Sequence, residues 1–232
     1  MATSGASFST DDALHSGMNY GDLTTFDGIG TVSISGWVYH DKNSTIDCII
    51  SKWNFPNTDW SFLLEIVDVA GLFQLLIGST VSGDFSLAPS TVAFSLNTWD
   101  FFTVTWDGST DTFILYLNGV NVTGTKFISG GGAGATIPNK TALNYIARRD
   151  AGSISQTFNG ELAHIQAHNF VLSLDQHNQL RYNPDSIPDG IIWNTPLWDA
   201  TAVEVVSKTT PTLDGNAASS INGPPIFLTA GQ

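Results

Sequence analysis

The sequence predicts an all-β protein, a sandwich of antiparallel strands, and three observations carry that expectation. In residues 99–119, WDFFTVTWDGSTDTFILYLNG, Phe102, Val104 and Trp106 alternate with Phe101, Thr103 and Thr105. Phe113, Leu115 and Leu117 then alternate with Ile114, Tyr116 and Asn118. A period of two with large side chains on both faces is the pattern of a strand covered on both sides. Second, Asp107-Gly108 separates these two runs and Asn118-Gly119 closes the latter. The Asn-Gly pair tolerates the positive φ angles of a tight hairpin turn, so the stretch reads strand, loop, strand, turn, strand. Third, the chain carries 22 glycines while Asp, Glu, Lys and Arg make up only 12% of it. Its polar surface rests on Ser, Thr, Asn and Gly, which suits short strands joined by many turns.

The other elements follow in order. Residues 7–20 read as an opening strand and turn, and 21–30 as a loop. In TVSISGWVYH (31–40), Val32, Ile34 and Val38 form a core face, and Trp37 and Tyr39 lie on the other. IDCIISKW (46–53) reads as a buried strand, NFPNTDW (54–60) as a loop, SFLLEIVDV (61–69) and LFQLLIG (72–78) as strands around a turn at Ala70-Gly71. Residues 78–89 read as loop, with a strand near 91–94. SGGGAGAT (129–136) lacks the strand, helix and Lys-Ser/Thr of a phosphate loop and reads as a surface loop. Strands are expected at 143–147 and 158–170. Ser173 and Gln176 form a capping-box pattern that starts a short helix ending near Arg181. The stretch 184–232 contains six of the nine prolines and no long periodic run, yet Ile191, Ile192, Trp193, Leu197 and Trp198 require burial. It is expected to strap onto the sandwich or onto a neighbouring subunit.

At 232 residues the chain accommodates one large sandwich with an extension and no second full domain. Its formal charge of −13 repels phosphate backbones and anionic lipid, which argues against nucleic acid and membrane surfaces as partners. Cys48 is the lone cysteine, so no intrachain disulfide forms; within TIDCIIS it reads as a small buried hydrophobe. The N-terminal MATSGASFSTDD shows neither a basic region nor an apolar run, the pattern of a chain without secretion signal or anchor. The sequons at Asn43, Asn121 and Asn139 then read as chance occurrences in a Ser/Thr-rich chain.

WDFFTVTWDG followed by YLNG resembles the central hairpin of laminin-G-like domains, part of the concanavalin A-like lectin and glucanase superfamily. TVSISGWVYH is similar to an early strand of that family, and residues 146–176 to its closing segment. The resemblance spans about residues 5–183 and implies a jelly-roll β-sandwich of two antiparallel sheets, here with one short helix and a C-terminal extension. It thus divides the chain into a sandwich, 1–183, and an extension, 184–232. DGIIWNTPLWD is similar to a strand with which such domains usually begin, and NGPPIF resembles the ends of phage-associated members. The fold hosts lectins, adhesion modules, lyases and hydrolases alike, so function must be argued from a site.

Four constellations are candidates. Glu65 and Asp68 are three apart on a strand, which puts them on opposite faces where they cannot flank one glycosidic bond. His164, Gln166 and His168 share a strand face, preceded by Arg148 and Arg149, a set resembling that of alginate lyases but in reversed order and without the Tyr-rich motif. Asp59, Asp107, Asp111 and Asp150 could supply calcium oxygens as in related domains, although Ala163 and His164 stand where the family usually places Asp and Glu. Trp53, Phe55, Asn57, Asp59 and Trp60 combine aromatic faces with amide and carboxylate groups, as a sugar-binding loop requires. The opposing reading is that Trp53 and Trp60 end flanking strands and point inward. The expectation is therefore a non-catalytic, surface-displayed binding module. It is expected to be a virion structural component, capsid decoration or tail protein, with glycan-binding capacity through Trp53, Phe55, Asn57, Asp59, Trp60, Arg148, His164, Gln166 and His168. A free lectin assisted by Ca2+ is the alternative, and a polysaccharide lyase the third reading. Surface glycans, other virion proteins and a second copy of the chain are the expected partners, at a virion surface or outside cells.

Overall fold

The computed structural model describes residues 17–41, 46–54, 59–67, 70–149, 156–197, 204–213 and 224, together with the backbone of 5–8, 214 and 218–220. The strands are β1 (Gly5–Phe8), β2 (Gly17–Asn19), β3 (Thr31–His40), β4 (Asp47–Asn54), β5 (Asp59–Ile66), β6 (Phe73–Gly78), β7 (Phe85–Pro89) and β8 (Trp99–Asp107). They continue with β9 (Thr112–Leu117), β10 (Val120–Asn121), β11 (Phe127–Ser129), β12 (Asn144–Ile146) and β13 (Gly160–His168). The helix α1 (Leu174–Tyr182) precedes β14 (Ile191–Thr195), β15 (Thr212–Asp214) and β16 (Ala218–Ser220). Sheet A runs β10-β9-β8-β3-β13-β1-β16, with β14 also on β13; sheet B runs β11-β7-β6-β5-β4-β12-β2-β15. The two sheets stack as an antiparallel sandwich, the all-β architecture expected from the alternating runs.

Val32, Ile34, Phe102, Val104 and Trp106 of sheet A meet Phe62, Leu64, Phe73, Leu75 and Ile77 of sheet B in the central core, all buried. Each such side chain contributes about 1.5–3 kcal/mol on leaving water. The opening hairpin forms as its alternation requires, β8 pairing β3 on one side and β9 on the other. Asn118 and Gly119 take φ of 49° and 89°, the left-handed conformation of the turn.

Two expectations fail locally. Residues 85–89 form a strand where a loop was expected, pairing with both β6 and β11. Small inward residues, Ser86 and Ala88, and a terminal Pro89 mask its alternation. Residues 91–94 form no strand; Phe94 is buried because its ring stacks on Phe73 at 4.5 Å, so the apolar signal there is loop packing.

Ser173 and Gln176 close the expected capping box, Gln176 N donating to Ser173 Oγ and Ser173 N to Gln176 Oε1. Beyond residue 184 the chain adds β14 and β16 to sheet A and β15 to sheet B. Trp193 is buried against Tyr20 and Phe26, with centroids 4.8 and 5.8 Å away. The buried Glu204 carboxylate accepts from the backbone amides of Asn194, Val206 and Ser207 and so anchors this segment. Trp198 lies outside the described residues. Cys48 is fully buried, and burial pushes its thiol pKa up, so the reactive thiolate is suppressed. Iodoacetamide is expected to leave it unmodified in the native protein and to label it after unfolding; rapid native labelling would contradict this placement.

Candidate functional site

The outer faces of the two sheets differ in what covers them. On sheet A, Trp37 and Phe101 pack with Leu172, Leu180 and Ile187, so α1 and the chain around it lie across the sheet. His177 pins the helix there. Its Nε2 accepts from Gly119 N at 2.9 Å, so Nδ1 carries the proton and donates to Thr103 Oγ1 at 2.8 Å. Burial is the main cause that lowers the His177 pKa to about 4, with the Arg181 charge acting the same way.

This cover settles the position of the His164, Gln166 and His168 set. A bulge falls between Ala163 and Gln166 of β13, and His164, at φ 50°, sits in it, so it does not continue the alternation. Only Gln166 and His168 keep a common outward parity, which corrects the shared face expected for all three. Both are buried: Gln166 Nε2 donates to Pro184 O at 3.0 Å and His168 Nε2 lies 3.1 Å from Ile187 O. The strap that covers them thus engages Gln166 Nε2 and His168 Nε2. His164 is half-buried, and burial lowers its pKa to about 4 against the opposing pull of Asp185. Arg148 belongs to the other sheet's side of the sandwich, following β12 of sheet B.

On sheet B the aromatic candidates come together. Trp60 opposes Trp53 and Phe62 opposes Lys52, so Ser61 is the extra residue of a bulge, and its hydroxyl donates to Pro138 O at 2.9 Å. The bulge changes the parity of β5 and turns Trp60 onto the outer face, where Trp53 already points by the regular alternation of β4. There they stack 4.7 Å apart at an interplanar angle of 4°. The opposing reading, that both tryptophans end flanking strands and point inward, is therefore replaced by an outward pair. Trp53 is the buried member and Trp60 the half-buried one. Gly78 of β6 permits this: a Cβ there would stand 2.2 Å from Trp60 O.

Two rings unforeseen from sequence extend the pair. Phe85 lies edge-on to Trp60 with centroids 6.1 Å apart, and Phe127 follows 6.1 Å beyond Phe85. Phe127, on the edge strand β11, is 55% exposed. The alternation of Phe85 with Leu87 was the signal that could have found the first; a three-residue edge strand leaves little signal for the second. Asp59, adjacent to Trp60 in the chain, begins β5, and its Oδ2 accepts from Thr141 Oγ1 at 2.9 Å. Phe55 and Asn57 lie outside the described residues. Arg148 stacks over Tyr145, 5.3 Å from the centroid, and its carbonyl accepts from Cys48 Sγ and Ser51 Oγ, so this stretch caps the β4 side of the same face.

The far end of the face is polar. Glu65 is 5% exposed and accepts from Gln74 Nε2 at 2.9 Å, with Arg149 at 3.8 Å; burial raises its pKa. Among the described residues no cluster of three or more His, Cys, Asp or Glu is placed to hold a metal. Asp111, one calcium candidate, is engaged by Trp106 Nε1, Ser86 Oγ and Lys126 Nζ, and Asp107 by Ser109. Asp150 lies outside the described residues. No described helix is long and apolar enough to cross a membrane.

A family model described as the concanavalin A-like lectin/glucanases superfamily matches residues 8–176. No protein of curated function matches the sequence. Among solved structures, the chain is similar to a native heptameric SAP-like pentraxin from Limulus polyphemus, at 14% identity and a TM-score of 0.65, covering 95% of this chain and 96% of that one. It is similar to the CBM40 of Ruminococcus gnavus IT-sialidase bound to α2,3-sialyllactose, at 15% identity and a TM-score of 0.56, covering 75% and 97%. It is also similar to the enzymatically active domain of bacteriophage CBA120 tailspike protein 2, at 13% identity and a TM-score of 0.53, covering 75% of this chain and 28% of that one.

Proposed function

The chain belongs to the concanavalin A-like lectin/glucanases superfamily, and from that premise we propose that it is a non-catalytic glycan-binding module whose site is the outer face of sheet B. The observation that carries this reading is the outward row of Trp60 and Phe85, backed by the buried Trp53, with Asp59 next to Trp60 at the start of β5. Sugar C–H faces stack on such rings while hydroxyls donate to a carboxylate. The sialyllactose-bound CBM40, a module of the same fold, supports it. Phe55 and Asn57, in the segment joining the two tryptophan strands, belong to the same proposed site.

A binding rather than hydrolytic role is supported by the placement of the carboxylates. Asp59 and Glu65 stand at opposite ends of β5, six residues or roughly 20 Å apart. A glycosidase pair needs about 5–10 Å. Display on a virus particle is the finer part of the proposal, favoured by the likeness to a phage tailspike domain.

The test is a glycan-array screen of the whole protein with and without calcium, repeated with Trp60→Ala and Asp59→Ala. Specific binding that both substitutions abolish is the expected result. Binding that requires calcium would add a metal to the site. Retention of binding by both variants would place the site elsewhere, and absence of binding to any glycan would remove the lectin reading in favour of a structural one.

A further inference from the structure

The aromatic row does not stop at the predicted loop. From Trp60 it crosses β7 at Phe85 and reaches Phe127 on β11, the last strand on that side of sheet B among the described residues. Exposure increases along the way, from buried Trp53 through half-buried Trp60 and Phe85 to the 55% exposed Phe127. Successive centroids beyond Trp60 are 6.1 Å apart, comparable with one pyranose residue. Leu87, half-buried, faces Phe127 across the β7–β11 register. A site for one terminal sugar would close around it; this strip instead remains apolar up to an open sheet edge.

Its charge is equally informative. None of Trp60, Phe85, Leu87 and Phe127 ionises. The nearby Lys126 ammonium is held by the Asp111 carboxylate at 3.0 Å, and Asp84 accepts from Gly131 N at 2.9 Å. With a formal charge of −13 the whole surface disfavours anionic polymers.

We propose that the site takes internal residues of a neutral, linear polysaccharide, laid across sheet B from Trp60 toward the β11 edge, with Phe127 as the outermost contact. This inference rests on the glycan-binding reading above and fixes the class of glycan. Asp59 orients one sugar at the inner end, and the rings supply apolar contacts to those that follow.

The experiment titrates the whole protein by calorimetry with cello-, laminari-, manno- and xylo-oligosaccharides of two to six residues, and with sialyllactose. In at least one neutral series, affinity is expected to rise with length up to about four residues and to be unchanged by added salt. Phe127→Ala is expected to weaken the hexasaccharide about tenfold, the factor that 1.4 kcal/mol makes, and to leave the disaccharide unchanged. Phe127 is exposed on an edge strand, so the variant keeps its fold, which circular dichroism verifies. Equal affinity for di- and hexasaccharide, preference for sialyllactose, or an unaffected Phe127→Ala would overturn this inference while leaving the lectin reading intact. Absence of binding to every sugar would remove both.

Discussion

Replacing Lys52 by Ala is expected to cost about 3–5 kcal/mol of stability, the scale of an uncompensated buried charge. The Lys52 side chain is fully buried, and its ammonium meets Asp27 Oδ1 at 2.8 Å, Asp22 Oδ1 at 2.9 Å and Leu23 O at 2.9 Å. The Asp27 side chain is only 7% exposed. Removing the cation leaves that carboxylate buried without its partner and opens a cavity beneath the Thr24–Phe26 turn. Lys52→Met keeps most of the volume and isolates the charge effect, and adding Asp27→Asn should recover part of the loss. Urea unfolding measures this: a lower midpoint at an unchanged m-value is expected. A loss below about 1 kcal/mol for Lys52→Ala would mean that Asp27 finds another partner or protonates at little cost.

Acid is expected to destabilise the protein through His177 and His164. In the unfolded chain this imidazole titrates at 6.5, and in the fold at about 4, so between these values the unfolded state binds more protons. The stabilisation is therefore fully present above pH 6.5 and is lost as pH falls toward 4. At about 1.36 kcal/mol per pKa unit it amounts to about 3 kcal/mol. Protonation has a specific target: Nε2 would gain a hydrogen facing the Gly119 amide, breaking the contact that ties α1 to the hairpin turn. His164 shifts in the same direction and adds to the loss. Melting temperature measured at pH 7, 5.5 and 4 should fall steadily, and His177→Gln should show a shallower fall. Identical pH profiles for both proteins would contradict the assignment.

The sequence disclosed those parts of the fold whose cause is local. The alternation across residues 99–119, the Asn118-Gly119 turn and the Ser173/Gln176 cap all follow from side chains within a few positions of one another. What it concealed depends on neighbours distant along the chain. The bulge at His164 lies where β13 changes partner from β1 to β14, and nothing in HIQAH announces the displaced parity. Lys52 reads as the polar member of a strand, yet it finds its carboxylates in the turn around Asp27. The tryptophans of the candidate site were legible as a pair flanking a loop. The outward direction of Trp60 required the extra residue at Ser61, and the extension of the pair to Phe127 required knowing that β7 and β11 pair.

The proposed function depends on which face of the sandwich binds. The most direct measurement is a calorimetric titration of the array's best glycan against the wild-type protein, Trp60→Ala and His164→Ala side by side. Trp60→Ala is expected to abolish binding and His164→Ala to bind as the wild type does, because sheet A is already covered by α1 and the strap at 184–187. Loss of binding in His164→Ala with Trp60→Ala unaffected would contradict it and move the site to sheet A.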